Sequence, residues 1–235
     1  MKNLIYLIDV GDNLYSKHTY PLIEAYAKKT NSDIATFDTE VFNSTNWPHP
    51  NFLIFDILRH FVTTDYKKML YVDMDIRILP NSPNIFEECD GFGMVEDHKA
   101  DLWRRQAMND WLKIHHPELN CTHYFNGGVM VLDKDNANQL INTLPSDILE
   151  FWETTKDKFP HGYNQNITNY CIMKGGLKCK ALPDKWNKVC RKAGQEDHFI
   201  HYVANKDQIQ TRYDKFKDNI CNPEITMTLD RLNHV

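Results

Sequence analysis

Short apolar runs alternate with segments of helical period along most of this chain, and that alternation restricts the fold more than any other feature of the sequence. Asn3 to Asp9 is an apolar run closed by a polar loop, and Leu22, Ile23, Tyr26 and Ala27 follow at a spacing near 3.6. A second strand is expected over Asp33 to Phe37. Trp47, Pro48, His49 and Pro50 then break the chain before a helix that buries Phe52, Phe55, Ile57 or Leu58, and Phe61. Lys68 to Leu79 is the most strand-like stretch. Further strands are expected near Gly93 to Glu96, over Phe125 to Leu132 and over Phe199 to Val203. Helices are expected from about Ala100 to Leu112, over Ala137 to Phe159 as one or two, and over Asn164 to Met173. Such alternation implies an α/β layer fold with a mostly parallel central sheet flanked by helices.

At 235 residues the chain is expected to form one domain, and no internal repeat, low-complexity tract or long linker divides it. A formal net charge of -5 argues against a surface built to hold a nucleic-acid backbone, which needs clustered excess Lys and Arg. The apolar run from Leu4 to Ile8 is too short for a secretory signal or for a membrane span of about 20 residues, so a cytoplasmic location is expected. The 6 cysteines contain no C-x-x-C pair and read as free thiols of a reducing compartment. The N-x-S/T matches at Asn43, Asn120 and Asn166 then read as chance. Trp103, Ala107 and Trp111, spaced i, i+4, i+8, are expected to pack into the core, the alternative being an exposed substrate platform.

The chemistry concentrates in Met69-Leu-Tyr-Val-Asp73-Met-Asp75-Ile-Arg-Ile-Leu79. In an extended strand Asp73 and Asp75 would share a face, with Cα atoms roughly 6.6 Å apart. Two anions side by side in apolar sequence are costly unless a cation neutralises them, and hard oxygen ligands suit Mg²⁺ or Mn²⁺. Two enzyme classes use such a D-x-D. A phosphohydrolase of the haloacid-dehalogenase type would use the first Asp as nucleophile; it also expects the strand near the start of the fold and a later G-D-x-x-x-D, and neither is present. The second class is a nucleotide-sugar transferase that holds its metal on the D-x-D. Elsewhere, Phe125-Asn126-Gly127-Gly128 sets two residues without side chains beside an amide, which lets a ligand approach backbone while Asn126 offers donors and acceptors to sugar hydroxyls. Asp9, Asp12 and Tyr15 lie in the loop leaving the first strand, where open α/β sheets bind ligands.

Several segments, in order, resemble glycosyltransferases of the GT-A fold, especially family-eight-like retaining enzymes and small single-domain viral relatives. They are Phe52-Leu-Ile-Phe-Asp-Ile-Leu58, Lys68-Met-Leu-Tyr-Val-Asp-Met-Asp-Ile76, Tyr124-Phe-Asn-Gly-Gly-Val-Met-Val-Leu132, Leu182-Pro-Asp-Lys-Trp-Asn187 and Ile200-His-Tyr-Val-Ala-Asn-Lys206. The resemblance implies a single Rossmann-like GT-A domain over 1–235, with a nucleotide-binding half over about 1–80, an acceptor and catalytic half over about 81–206 and a C-terminal segment over 207–235. It implies a metal-dependent transfer of a hexosyl group from a UDP-sugar to an acceptor hydroxyl on a saccharide or glycoconjugate, with Mn²⁺ or Mg²⁺ as cofactor. On the same ground His201 joins Asp73 and Asp75 as metal ligand, Asp9, Asp12 and Tyr15 receive uridine, and Lys206 contacts phosphate. Asp97 contacts the donor sugar, and Gln165 lies beneath the anomeric carbon. Relatives carry D-Q-D where this chain has Asn164-Gln165-Asn166, so front-face attack assisted by donor phosphate is favoured over a covalent intermediate. A non-catalytic nucleotide-sugar-binding module is the alternative from outside the enzymes. The charged segment after Asn205 is expected to be held mainly by ligand contacts.

Overall fold

The computed structural model describes residues 1–11, 15–97, 102–159, 163–189 and 196–202. Asp12, Lys206 and the C-terminal segment 207–235, all expected to matter above, lie outside the described residues, as do Cys190 and Cys221. The first half contains β1 (Asn3–Asp9), α1 (Ser16–Lys29), β2 (Ser32–Asp38), α2 (Thr39–Asn43), α3 (Leu53–Thr63), β3 (Lys68–Val72), β4 (Ile76–Ile78), α4 (Ile85–Glu88) and β5 (Phe92–Glu96). The second half contains α5 (Leu102–His115), β6 (Phe125–Asp133), α6 (Lys134–Asn142), α7 (Ile148–Thr155), α8 (Tyr163–Gly175), β7 (Cys179–Leu182), β8 (Lys188–Val189) and β9 (Phe199–His201).

Six strands form the central sheet in the order β2-β1-β3-β6-β5-β7. The β1–β2, β1–β3 and β5–β7 pairs are parallel and both pairs made by β6 are antiparallel, so five strands run one way and β6 runs against them. Both faces are covered, and the side-chain alternation of the strands sorts residues between two cores. Leu4 and Tyr6 of β1, Met69 and Tyr71 of β3, and Met130 and Leu132 of β6 pack with α3 residues such as Phe55 and Phe61. Ile5 and Leu7, Leu70 and Val72, and Val129 and Val131 pack with Ile23, Tyr26 and Ala27 of α1. The apolar runs are continuous because neither face meets water.

Chain order places the site. The chain leaves β1 for β2 on one side and returns to β3 on the other, so the crevice beyond the carboxyl ends of β1 and β3 is a topological switch point, the usual ligand position in open α/β sheets. Asp9 ends β1, Asp73 follows β3, Asp97 follows β5, and Asn126 sits at the start of antiparallel β6, which brings it to the same edge.

Two expectations change. Lys68 to Leu79 is not one strand: β3 stops at Val72, and β4 belongs to a separate three-stranded sheet of order β4-β9-β8. Both pieces are buried, so the apolar pattern runs through the change of sheet without a mark. The aromatic stripe of α5 also divides. Trp111 is buried with Met108 and Leu112, whereas Trp103 is 44% exposed. Residues at i, i+4, i+8 drift by about 40° per step around a 3.6-residue helix, so the core-facing stripe of the last turns has moved off Trp103 by the first. Strands β7 and β8 were not anticipated. Among the described residues Cys89, Cys121, Cys171 and Cys179 are free thiols.

Candidate active site

The D-x-D lies in a tight turn between two sheets, and that turn is fixed at every carbonyl. Asp73 O accepts from Ile76 N at 3.0 Å, Asp75 O from Tyr202 N at 2.9 Å, and Met74 O from the Thr19 hydroxyl of α1 at 2.7 Å. Asp73 N donates to Gly128 O of β6 at 2.9 Å. The same-face argument for an extended strand therefore does not apply; the turn itself brings the two carboxylates together. The small sheet supplies the third group, because antiparallel β4–β9 pairing sets His201 opposite Ile76, next to Asp75.

His201 Nε2 lies 3.2 Å from Asp75 Oδ1 and 3.8 Å from Asp73 Oδ2. One ligand atom from each of Asp73, Asp75 and His201 falls within 4.8 Å of the others. Tyr71, buried two residues before Asp73, donates its hydroxyl to Asp73 Oδ1 at 2.5 Å. Burial, then the neighbouring Asp75 charge, pushes the Asp73 carboxyl up to about 6, against the lowering influence of His201 and the Tyr71 hydrogen bond. Burial works to lower the His201 pKa, but the charge and hydrogen bond of Asp75, with Asp73 and Asp97, raise it to about 9. In the absence of an ion the histidine proton serves as the counter-charge. Two carboxylates and an imidazole nitrogen form a mixed oxygen and nitrogen donor set that suits a divalent ion of intermediate hardness, and the residues fit the expected group.

Gly128 has a use that the sequence did not reveal. A methyl group at Gly128 would sit 2.8 Å from His201 Cε1, 3.0 Å from Asp73 Oδ2 and 3.1 Å from Asn126 Oδ1, so Gly128 makes room for the protein's own site side chains. Asn126 Oδ1 accepts from Gly128 N at 2.8 Å and from Asn187 Nδ2 at 2.7 Å, which occupies both lone pairs and leaves only its Nδ2 to offer a sugar.

Beside this group is a second cluster. A register shift in the β5–β6 pairing between Met94 and Glu96 precedes Asp97, whose N–H donates to Tyr124 O at 2.7 Å; bulges of this kind re-aim side chains near sites. Asp97 Oδ2 accepts from Arg104 Nη1 at 2.6 Å and from Gln165 Nε2 at 3.2 Å, and Gln165 Oε1 accepts from Gly127 N at 3.1 Å. Asn166 is fully buried, its Oδ1 accepting from the Tyr124 hydroxyl, and Asn169 brackets the backbone of Phe125 from the same helix. These asparagines dock α8 on β6.

At the switch point, Asp9 Oδ1 accepts from the Ser16 hydroxyl at 2.6 Å. Tyr15 is buried, with its ring 6.3 Å from that of Tyr202 and its hydroxyl donating to Tyr202 O at 3.1 Å. The structure thus brings Asp73, Asp75 and His201 together, and sets Asp97, Asn126 and Gln165 beside them. Sequence reasoning missed Tyr71, Arg104 and the role of Asn187. Tyr71 had a usable signal, since it stands two residues before Asp73 in the same apolar run.

No protein-family model matches the chain, and no curated protein matches it by sequence. Solved structures do. The galactosyltransferase LgtC, in complex with donor and acceptor sugar analogues, superposes with a TM-score of 0.60 at 15% identity, covering 93% of this chain and 96% of its own. A glycosyltransferase involved in glycosylation of the major capsid of PBCV-1 gives 0.56 at 14% identity, covering 88% and 98%. Mouse xyloside xylosyltransferase 1 gives 0.57 at 12% identity, covering 87% and 99%. The chain shares the GT-A fold of these glycosyltransferases.

Proposed function

We propose that this protein is a metal-dependent glycosyltransferase that moves a hexosyl group from a UDP-sugar to an acceptor hydroxyl of a saccharide or glycoconjugate, with retention. The observation that carries the reading is the convergence of Asp73, Asp75 and His201 within 4.8 Å, at the carboxyl edge of a GT-A sheet. Asp73, Asp75 and His201 would hold Mn²⁺ or Mg²⁺, which supplies Lewis-acid neutralisation of the donor diphosphate. The whole chain acts as one domain, in the cytoplasm.

The remaining roles are those the resemblance implies. Asp9 and Tyr15, at the switch point, receive uridine together with Asp12, and Lys206 meets phosphate. Gln165, tied at both ends of its carboxamide, is held rigidly between Asp97 and the Gly127 amide, as positioning under the anomeric carbon requires. Asp97 is paired with Arg104, so its carboxylate is a poor free nucleophile; with Asn164 and Asn166 in place of acids, this favours attack assisted by the donor phosphate.

Calorimetric titration with UDP, with and without Mn²⁺, tests the reading, followed by a panel of UDP-sugars scored for Mn²⁺-dependent UDP release. Binding is expected only with the metal. Equal binding under both conditions, or none, would overturn it, and inversion at the product anomeric centre would remove the retaining assignment.

A further inference from the structure

The polar chain behind His201 has only one consistent arrangement of protons. The backbone N–H of Gly128 can only donate, so the Asn126 atom facing it at 2.8 Å is the carbonyl oxygen. That oxygen needs a donor from its other neighbour, so Asn187 presents Nδ2 to it at 2.7 Å. Asn187 must then turn Oδ1 toward His201, 2.8 Å from Nδ1. An amide oxygen cannot donate, so His201 Nδ1 carries the proton. Asn187 is 5% exposed and His201 7% exposed, so water does not compete readily for these bonds.

We propose that Asn187 is a positioning residue: with Asn126 it forms a relay, anchored on the Gly128 amide, that holds the His201 ring with Nδ1 protonated and Nε2 facing Asp73 and Asp75. The proposal rests on the metal-dependent reading above and deepens it. A metal takes the unprotonated nitrogen of a neutral imidazole, and the partner of the other nitrogen decides which one that is. Here the partner comes from the loop after Trp186, and its orientation is decided by a backbone group of β6. The relay joins Asn126 and Gly128 of β6 to Asn187, distant from them in sequence, and through it to His201.

The test uses the full chain with ¹⁵N-labelled histidine. In metal-free protein at pH 7, long-range ¹H–¹⁵N spectra should show a proton on His201 Nδ1 that its bond to Asn187 Oδ1 protects from exchange with water. Asn187→Leu should lose that protection and weaken Mn²⁺ binding by about 10–100-fold, the usual cost of removing such a partner. Asn126→Asp keeps an oxygen facing both Gly128 N and Asn187 Nδ2, so it should retain the protected Nδ1 proton and bind Mn²⁺ at least as tightly as the parent. A parent protein whose Nδ1 carries no proton, or one that exchanges freely, would overturn the proposal, whether or not Asn187→Leu folds. So would an Asn187→Leu protein with unchanged Nδ1 proton exchange and unchanged Mn²⁺ affinity. A parent protein that shows the protected Nδ1 proton but binds no Mn²⁺ would sink the metal reading instead, leaving the relay established, so the two failures are distinguishable.

Discussion

Adjacent glycines in β6 provide the sharpest test of how the site is built. At Gly128 an added methyl group would approach His201 Cε1 to 2.8 Å, whereas ordinary contact begins at 3.4 Å, so the ring would have to retreat by about 0.6 Å. Coordination distances tolerate about 0.2 Å. His201 cannot retreat freely, because Asn187 holds its Nδ1 at 2.8 Å and the ring is buried. Overpacking of this kind costs about 1–3 kcal/mol, so Gly128→Ala should weaken Mn²⁺ binding by roughly 5–150-fold at 1.4 kcal/mol per decade. Whatever part of the strain stays in the metal-free protein should lower its Tm by about 2–4 °C per kcal/mol for a chain of this size. Gly127→Ala is the control: its nearest neighbour would be Gln165 Cβ at 3.6 Å, an ordinary contact, and Mn²⁺ affinity should stay within about threefold, or 0.6 kcal/mol. Mn²⁺ titration calorimetry and thermal unfolding of both variants provide the measurement. If Gly128→Ala binds Mn²⁺ like the parent, or both variants lose affinity equally, the packing argument is wrong.

Mn²⁺ affinity should rise about tenfold per pH unit between about pH 6 and 9, and more steeply below 6, because binding displaces the His201 proton and then also the Asp73 proton; calorimetry in buffers of different ionisation enthalpy would refute this by showing no proton release. Both folded-state pKa values lie above the ordinary 6.5 and 3.8, so the stability these groups contribute to the metal-free protein is present at low pH and falls as pH rises, through about 6 for Asp73 and about 9 for His201. Asp73→Asn should abolish the Mn²⁺-induced rise in Tm yet leave the metal-free Tm equal or higher, since it removes a charge that burial and Asp75 disfavour; a large fall in the metal-free Tm would contradict this. Arg104→Met should destabilise by about 1–3 kcal/mol, less than a fully buried pair because the Arg104 side chain is 25% exposed. Adding Asp97→Asn should recover part of that loss, and additive losses in the double variant would argue against a coupled pair.

The sequence by itself determined the layered α/β architecture, because strands buried on both faces must be apolar throughout and helices covering them must be apolar on one stripe. Asn3–Asp9, Leu53–Thr63 and Phe125–Asp133 were legible on that ground. It also marked Asp73 and Asp75, since paired carboxylates amid apolar residues demand compensation wherever they sit. Tertiary structure alone decided that they meet in a turn: β3 and β4 are equally buried, and what separates them is their partners, β1 and β6 for one and β9 for the other. Trp103 was misjudged for a related reason, as the face a helix buries depends on where its neighbours end. Asn126 offered both donors and acceptors on chemistry alone, because an amide's orientation is ambiguous until its neighbours are known. Only when the Gly128 amide and Asn187 are placed beside it does its oxygen have a single use. Hydrogen-bond direction is a property of pairs, and the pairs that Asn187 makes with Asn126 and His201 join residues that are brought together only once the sheets have formed.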